Sequence, residues 1–166
     1  AISDGSGIAT NYTLTIGTLT MTIVPRSTTV SGTKTYDGTT NVASSNLTSF
    51  SNLAGSDTLS LSGTGTISSA DVGTGKTVNT SGLTIDNSSG VGSNYTLSAA
   101  TVNVTERVIG LSGVRAFDGT NNASSTDLSI SNLVSGENLT LSGSGTVPNA
   151  TVEMNKAISL GSPVSY

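Results

Sequence analysis

Lys34-Thr-Tyr-Asp-Gly-Thr-Thr40 returns later in the chain as Arg115-Ala-Phe-Asp-Gly-Thr-Asn121, with Tyr36 and Phe117 separated by 81 positions (117 − 36). The likeness spreads outward from this pair. Ser31-Gly32 matches Ser112-Gly113, and Leu47 matches Leu128 at the same offset. After a one-residue deletion near Phe50, Asp57-Thr-Leu-Ser-Leu-Ser-Gly-Thr-Gly-Thr-Ile67 matches Glu137-Asn-Leu-Thr-Leu-Ser-Gly-Ser-Gly-Thr-Val147, and Lys76 matches Lys156. Apolar and Gly positions held in register over such a length indicate duplication of a structural unit. A third landmark sets the phase: Asn11-Tyr-Thr-Leu14 recurs as Asn94-Tyr-Thr-Leu97. The reading is therefore of residues 1–26 as the last strands of a preceding or complementing repeat, 27–107 as one complete repeat, and 108–166 as a partial repeat lacking its last strands. Either the chain is cut from a longer array, or its two partial repeats complete each other.

Within the units, apolar residues alternate with Thr and Ser. Tyr12, Leu14 and Ile16 fall on one face of an extended segment, as do Leu19, Met21 and Ile23. Leu59-Ser-Leu61, Leu83-Thr-Ile85, Tyr95-Thr-Leu97, Val102-Asn-Val104, Leu128-Ser-Ile130 and Leu139-Thr-Leu141 repeat the pattern. Period two with β-branched Thr on the outer face marks half-buried antiparallel strands. No segment carries a helical stripe, although Asn41–Asn46 and Ser68–Val72 suit short helical turns. The expected fold is all-β: tandem antiparallel β-sandwich-like units, Ig-like or β-grasp-like, of about 80 residues set end to end with no long linker. At the repeated motif, Tyr36 or Phe117 is expected to end a strand with its ring in the core. Asp37-Gly38 and Asp118-Gly119 then form a tight turn, Asp accepting from backbone N–H groups just ahead and Gly adopting φ > 0. The change from Tyr36 to Phe117 suits packing better than catalysis.

The composition fits this picture. Aromatic residues make up 4% and charged residues 10%, so the core must be lean and the surface hydroxyl-rich. A regular apolar pattern argues against disorder. The net charge of −4 and the lack of a basic tract argue against nucleic acid and anionic membrane surfaces as partners. No run is long enough to span a bilayer and no signal peptide is visible, so no membrane insertion is expected. With no Cys there is neither a disulfide framework nor a thiolate ligand.

A unit of this size, with Lys-x-Tyr-Asp-Gly-Thr-Thr near its start and Asn-Tyr-Thr-Leu near its end, resembles the YDG repeat family and the related MBG-type repeats. These occur as tandem arrays in large secreted bacterial adhesins, including filamentous-haemagglutinin-like exoproteins. The resemblance covers essentially the whole chain; the second copy departs at Arg115, Ala116 and Phe117. It implies an extracellular, cell-surface array that spaces or displays a binding tip, with no reaction and no catalytic residues. The expected partners are neighbouring repeats or other copies of the same chain. From the phase of the repeats, residues 1–26, with Tyr12 to Ile23, can add to the open sheet of the next chain head to tail by strand complementation; the competing reading is an arbitrary cut through a longer polypeptide. A glycan- or host-surface-binding module is the alternative.

The chemistry points the same way. Without His or Cys there are no Ser-His-Asp or Cys-His arrangements and none of the common zinc sites. Paired carboxylates can hydrolyse glycosides, but Asp37, Asp57, Asp71 and Asp86 are scattered over the unit. No catalytic residue and no cofactor is therefore expected. Ca2+ is the metal to weigh, since its ligands are oxygens, yet Ser3-Asp-Gly-Ser-Gly7 is too short for an EF-hand loop and reads better as a polar turn. Lys34, Lys76 and Lys156 are the lysines from which a Lys–Asn cross-link can start; a Lys guarding a strand edge is the simpler reading of Lys76 and Lys156. Asn-x-Ser/Thr triplets, among them Asn46, Asn103 and Asn138, are numerous in a chain of this composition.

Overall fold

The computed structural model describes residues 5–12 and 20–161. Strands and turns account for its regular structure, with helix limited to single 3-10 turns such as Ser44–Asn46 and Ser125–Asp127. The fold is all-β and sandwich-like, built of several mainly antiparallel sheets.

Seven strands lie between residues 26 and 105: β1 (Arg26–Thr35), β2 (Asn41–Ala43), β3 (Leu47–Ser51), β4 (Leu59–Thr66), β5 (Gly73–Thr77), β6 (Leu83–Asn87) and β7 (Tyr95–Thr105). They form a four-stranded sheet of order β3-β1-β7-β5 and a three-stranded sheet of order β2-β4-β6. Alternation produces the inward faces. Val30 from β1, Leu47 from β3, and Ala100, Val102 and Val104 from β7 meet Val42, Ile67 and Val78 in one buried cluster. Phe50, Leu61, Leu83 and Leu97 pack around it. β4 serves two partners: residues 59–63 pair with β6 and residues 64–66 with β2. Gly63, at φ +89°, stands at the change of partner, where a Cβ would collide with the Gly82 carbonyl. The glycine thus serves a close approach inside a continuous strand.

One pairing departs from the antiparallel expectation. β1 and β7 run parallel over ten register pairs, from Arg26↔Tyr95 to Thr35↔Thr105, with a bulge after Thr28. Tyr95-Thr-Leu97 and Val102-Asn-Val104 belong to this single long strand. A parallel pair needs a long crossover, which β2 to β6 provide. Being central to its sheet, β7 buries Ala100, Val102 and Val104 almost completely.

The second set of strands is β8 (Gly110–Gly113), β9 (Asn122–Ser124), β10 (Leu128–Ser131), β11 (Ser144–Thr146) and β12 (Ser159–Leu160). β8 pairs with β10 as β1 does with β3, and the Gly113↔Leu128 pair reproduces Gly32↔Leu47. β9 pairs with β11 as β2 does with β4, and Thr146↔Ser159 repeats the Thr66↔Asn79 bridge. Counterparts of β6 and β7 are absent among the described residues. Two expectations change as a result. Leu139-Thr-Leu141 is not a strand, and Leu139 is exposed; no strand pairs with it among the described residues. Phe117 does not end a strand in the core: β8 stops at Gly113, and the ring is 68% exposed. Of the short helical turns foreseen, Ser44–Asn46 is present; residues 68–72 form bends only, and residues 41–43 are strand.

Candidate functional site

The Tyr36–Asp37–Gly38 corner begins where β1 ends. Tyr36 N–H donates to the Thr105 carbonyl at 2.8 Å, tying the corner to the end of β7. Asp37 Oδ1 accepts from Thr39 N at 2.9 Å and from Thr39 Oγ1 at 2.9 Å, while Gly38 takes φ +74°. Behind the turn, Lys34 projects inward from β1 and is only 4% exposed. A buried ammonium is tolerated only when its donors are used. Lys34 Nζ donates to Asp37 Oδ1 at 2.8 Å, to the Asn41 carbonyl at 2.7 Å and to the Thr39 carbonyl at 3.0 Å. The hydrogen bond from Lys34, helped by those from Thr39 and opposed by desolvation, holds the Asp37 carboxyl down to about 2.

The second corner reproduces the turn. Gly119 takes φ +78°, and Asp118 Oδ1 accepts from Thr120 N at 2.8 Å and Thr120 Oγ1 at 2.9 Å. Arg115 replaces the buried lysine, pairing with Asp118 and donating to the Thr120 carbonyl. The Thr120 N–H, then Arg115, hold the Asp118 carboxyl at about 2.

The first corner does more than turn the chain. Tyr36 Oη donates to Glu137, and this bond raises the phenol above its ordinary value. A Cβ on Gly38 would lie 2.8 Å from Val134 Cγ1. The corner of the first unit therefore sits against the Val134–Glu137 loop of the second. That loop matches Ala54–Asp57 in the first unit. There, Tyr95 Oη donates to Asp57 and accepts from Ala54 N at 3.1 Å.

Both loops are held by the same clasp. Arg26 Nε donates to the Asn52 carbonyl at 2.7 Å and its guanidinium to Asn52 Oδ1 at 2.8 Å; Asn52 Nδ2 donates to the Ser27 carbonyl at 2.7 Å. Arg107 and Asn132 repeat this at 2.6 and 2.8 Å, with Asn132 Nδ2 donating to the Val108 carbonyl at 2.7 Å. Asn52 and Asn132 both adopt positive φ, 60° and 65°. The sequence shows Arg26 and Arg107 at the unit junctions and Asp57 matched by Glu137. It gives no sign that an Arg–Asn clasp shapes the loop, or that Glu137 receives Tyr36 across the joint.

The second unit also carries an open groove. Leu111, Leu128, Val147 and Ile158, the counterparts of core residues in the first unit, line it together with Ala123 and Met154. Only Ala123 among them is buried. Of the residues proposed to cross between units, Leu14, Ile16 and Leu19 lie outside the described residues. Tyr12, Met21 and Ile23 are exposed and outside any strand.

Lys76 lies on β5, the edge of its sheet, and donates to the Ser69 carbonyl at 3.0 Å. Lys156 donates to the matching Asn149 carbonyl at 3.0 Å and to Asn149 Oδ1 at 2.6 Å. Both serve as clasps for the turn ahead of them. Among the described residues, no group of three or more His, Cys, Asp or Glu stands in position to hold a metal ion. No described helix is long and apolar enough to cross a membrane.

The family model of the YDG domain matches residues 17–103 and, separately, 105–165. No curated protein and no solved structure matches the chain.

Proposed function

Because the chain belongs to the YDG domain family, we propose that it is a structural repeat of an extracellular bacterial adhesin or surface fibre, a stalk unit that supplies reach. The observation that carries this reading is the parallel pairing of β1 with β7. The first and last strands of the unit lie side by side and point the same way, so the backbone enters at one end and leaves at the other. Each unit then adds roughly 30–40 Å along the line, the length of a ten-residue strand. Four residues separate β7 from β8, and the Tyr36–Glu137 contact closes the joint. Small-angle scattering on tandem chains of two, four and six units tests this. The maximum dimension is expected to rise linearly with unit number; a dimension that levels off, as in a folded-back cluster, defeats the proposal.

Head-to-tail assembly by strand complementation belongs to the same reading. Among the described residues no strand takes the β7 position of the second unit, and the sequence from Tyr12 to Met21 matches Tyr95 to Val104, which supports this reading. The segment from another copy supplies that strand. Light scattering and amide exchange decide: a monomer whose second unit is protected as fully as its first eliminates complementation.

A further inference from the structure

We propose that the Arg115–Asn121 corner is a coupling site for another unit of this kind, and that its occupant, for this chain, is the Leu53–Asp57 loop of a second copy. The inference rests on reading the units as successive members of an array, and it concerns the contact that locks one to the next.

The first corner shows what such a site does. Tyr36, Asp37 and Gly38 are seated on Val134–Glu137, with Gly38 so close to Val134 that a side chain would intrude. The second corner has the same turn and, among the described residues, no such seat. Its turn is formed by the same Asp-to-Thr hydrogen bonds and the same left-handed Gly. Yet Phe117 stands 68% exposed and a Cβ on Gly119 would meet nothing within 4 Å. A preformed turn presenting an exposed ring suits docking, because little ordering remains to be done on contact.

The receiving loop is likewise prepared. Asn52-Leu-Ala-Gly-Ser-Asp57 and Asn132-Leu-Val-Ser-Gly-Glu137 both start at an Asn of positive φ held by an Arg. The second loop carries the first corner; in the first loop, Ala54 and Gly55 are exposed.

The two corners differ in the ring hydroxyl: Tyr36 donates to Glu137, and Phe117 has none to donate. Glu137 accepts the hydrogen bond of the Tyr36 hydroxyl. Asp57 already accepts from Tyr95. A ring without a hydroxyl can rest on Ala54 and Gly55 with no donor of its own to satisfy. Tyr36 thus suits the Glu137 loop, and Phe117 suits the Asp57 loop. The contact is heterologous, so it propagates head to tail, and its small area makes it weak on its own.

The test mixes 15N-labelled Phe117→Ser chain, with its corner disabled and its loop intact, with unlabelled wild-type chain. Saturable shifts are expected at the amides of Leu53–Asp57. Unlabelled Phe117→Ser or Gly119→Val in place of the wild type should weaken association at least about tenfold, the effect of removing or obstructing a single anchor. Phe117 is exposed, so its replacement leaves the fold intact. An amide-exchange pattern matching wild type over residues 110–131 checks this for both variants. Shifts absent up to the solubility limit, centred on other residues, or unchanged with both variants overturn the proposal. Tandem chains that lengthen linearly while the mixture shows no shifts would overturn the coupling site and leave the stalk reading standing. Shifts at the loop with tandem chains that do not lengthen would do the reverse.

Discussion

The two units share their local devices and differ in their cores. Each has an Arg–Asn clasp, an Asp-Gly turn, a 3-10 turn before its third strand, and a Gly whose Cβ would strike a carbonyl, Asn46 for Gly32 and Asp127 for Gly113. The first unit closes because β7 brings Ala100, Val102 and Val104 between its sheets. In the second, Leu111, Leu128, Val147 and Ile158 remain half-buried. Hydrogen-bonded devices spanning a few residues or one hairpin form wherever their sequence occurs. Burial waits for a strand from far along the chain, because the apolar gain scales with area removed from water.

The largest test of this contrast is the matched pair Leu47→Ala and Leu128→Ala. Leu47 is 2% exposed, and its truncation should cost about 3 kcal/mol, whereas Leu128 should lose no more than about 1 kcal/mol. Amide exchange read separately in β1–β3 and β8–β10 gives both values; equal losses would mean that the second core is closed.

Next comes the cation behind each corner. Lys34→Met leaves the Asn41 and Thr39 carbonyls without their buried donor, at a cost of about 2 kcal/mol. Arg115→Met, at the more exposed corner, should cost about 0.5 kcal/mol. Urea unfolding of each variant checks the order.

Gly38→Ala and Gly119→Ala each force an L side chain into the left-handed region, at about 1 kcal/mol apiece. Only Gly38→Ala also presses on Val134, so it alone should shift the amide resonances of Val134–Glu137.

The smallest effect is in acid. Asp37 and Asp118 are held at about 2, below the ordinary 3.8. A carboxyl whose folded value is depressed stabilises fully above its unfolded value and loses that contribution as pH falls toward the folded one. Both corners should therefore weaken between about pH 4 and pH 2, by a small amount because both carboxylates face water. Asp37→Asn should remove the first corner's share, as read by carboxyl titration and acid unfolding.

Much of this architecture was legible because alternation reports strands directly. Leu59-Ser-Leu61, Leu83-Thr-Ile85 and Leu128-Ser-Ile130 lie in β4, β6 and β10. Alternation carries no information about direction or partner, so the parallel β1–β7 pair was not visible, nor was the fusion of two segments across the Ser98 bulge. Leu139-Thr-Leu141 has a strand's pattern but no pairing neighbour among the described residues. At the corners, the Asp-Gly turn followed from residue type alone. The roles of Lys34 and Glu137 did not, because each depends on what the fold places behind or across the corner. Lys34 sits at an inward position of β1, where a sequence pattern would call for an apolar residue; its ammonium is used up by oxygens that the turn itself supplies.

The parallel union of β1 and β7 has a mechanical consequence. A pull applied to the two ends of the first unit would act at Arg26 and at Thr105, opposite ends of two strands lying side by side. Such a load slides one strand along the other, so the rungs between them resist together instead of parting one at a time. The same strand that closes the first unit's core also carries its load.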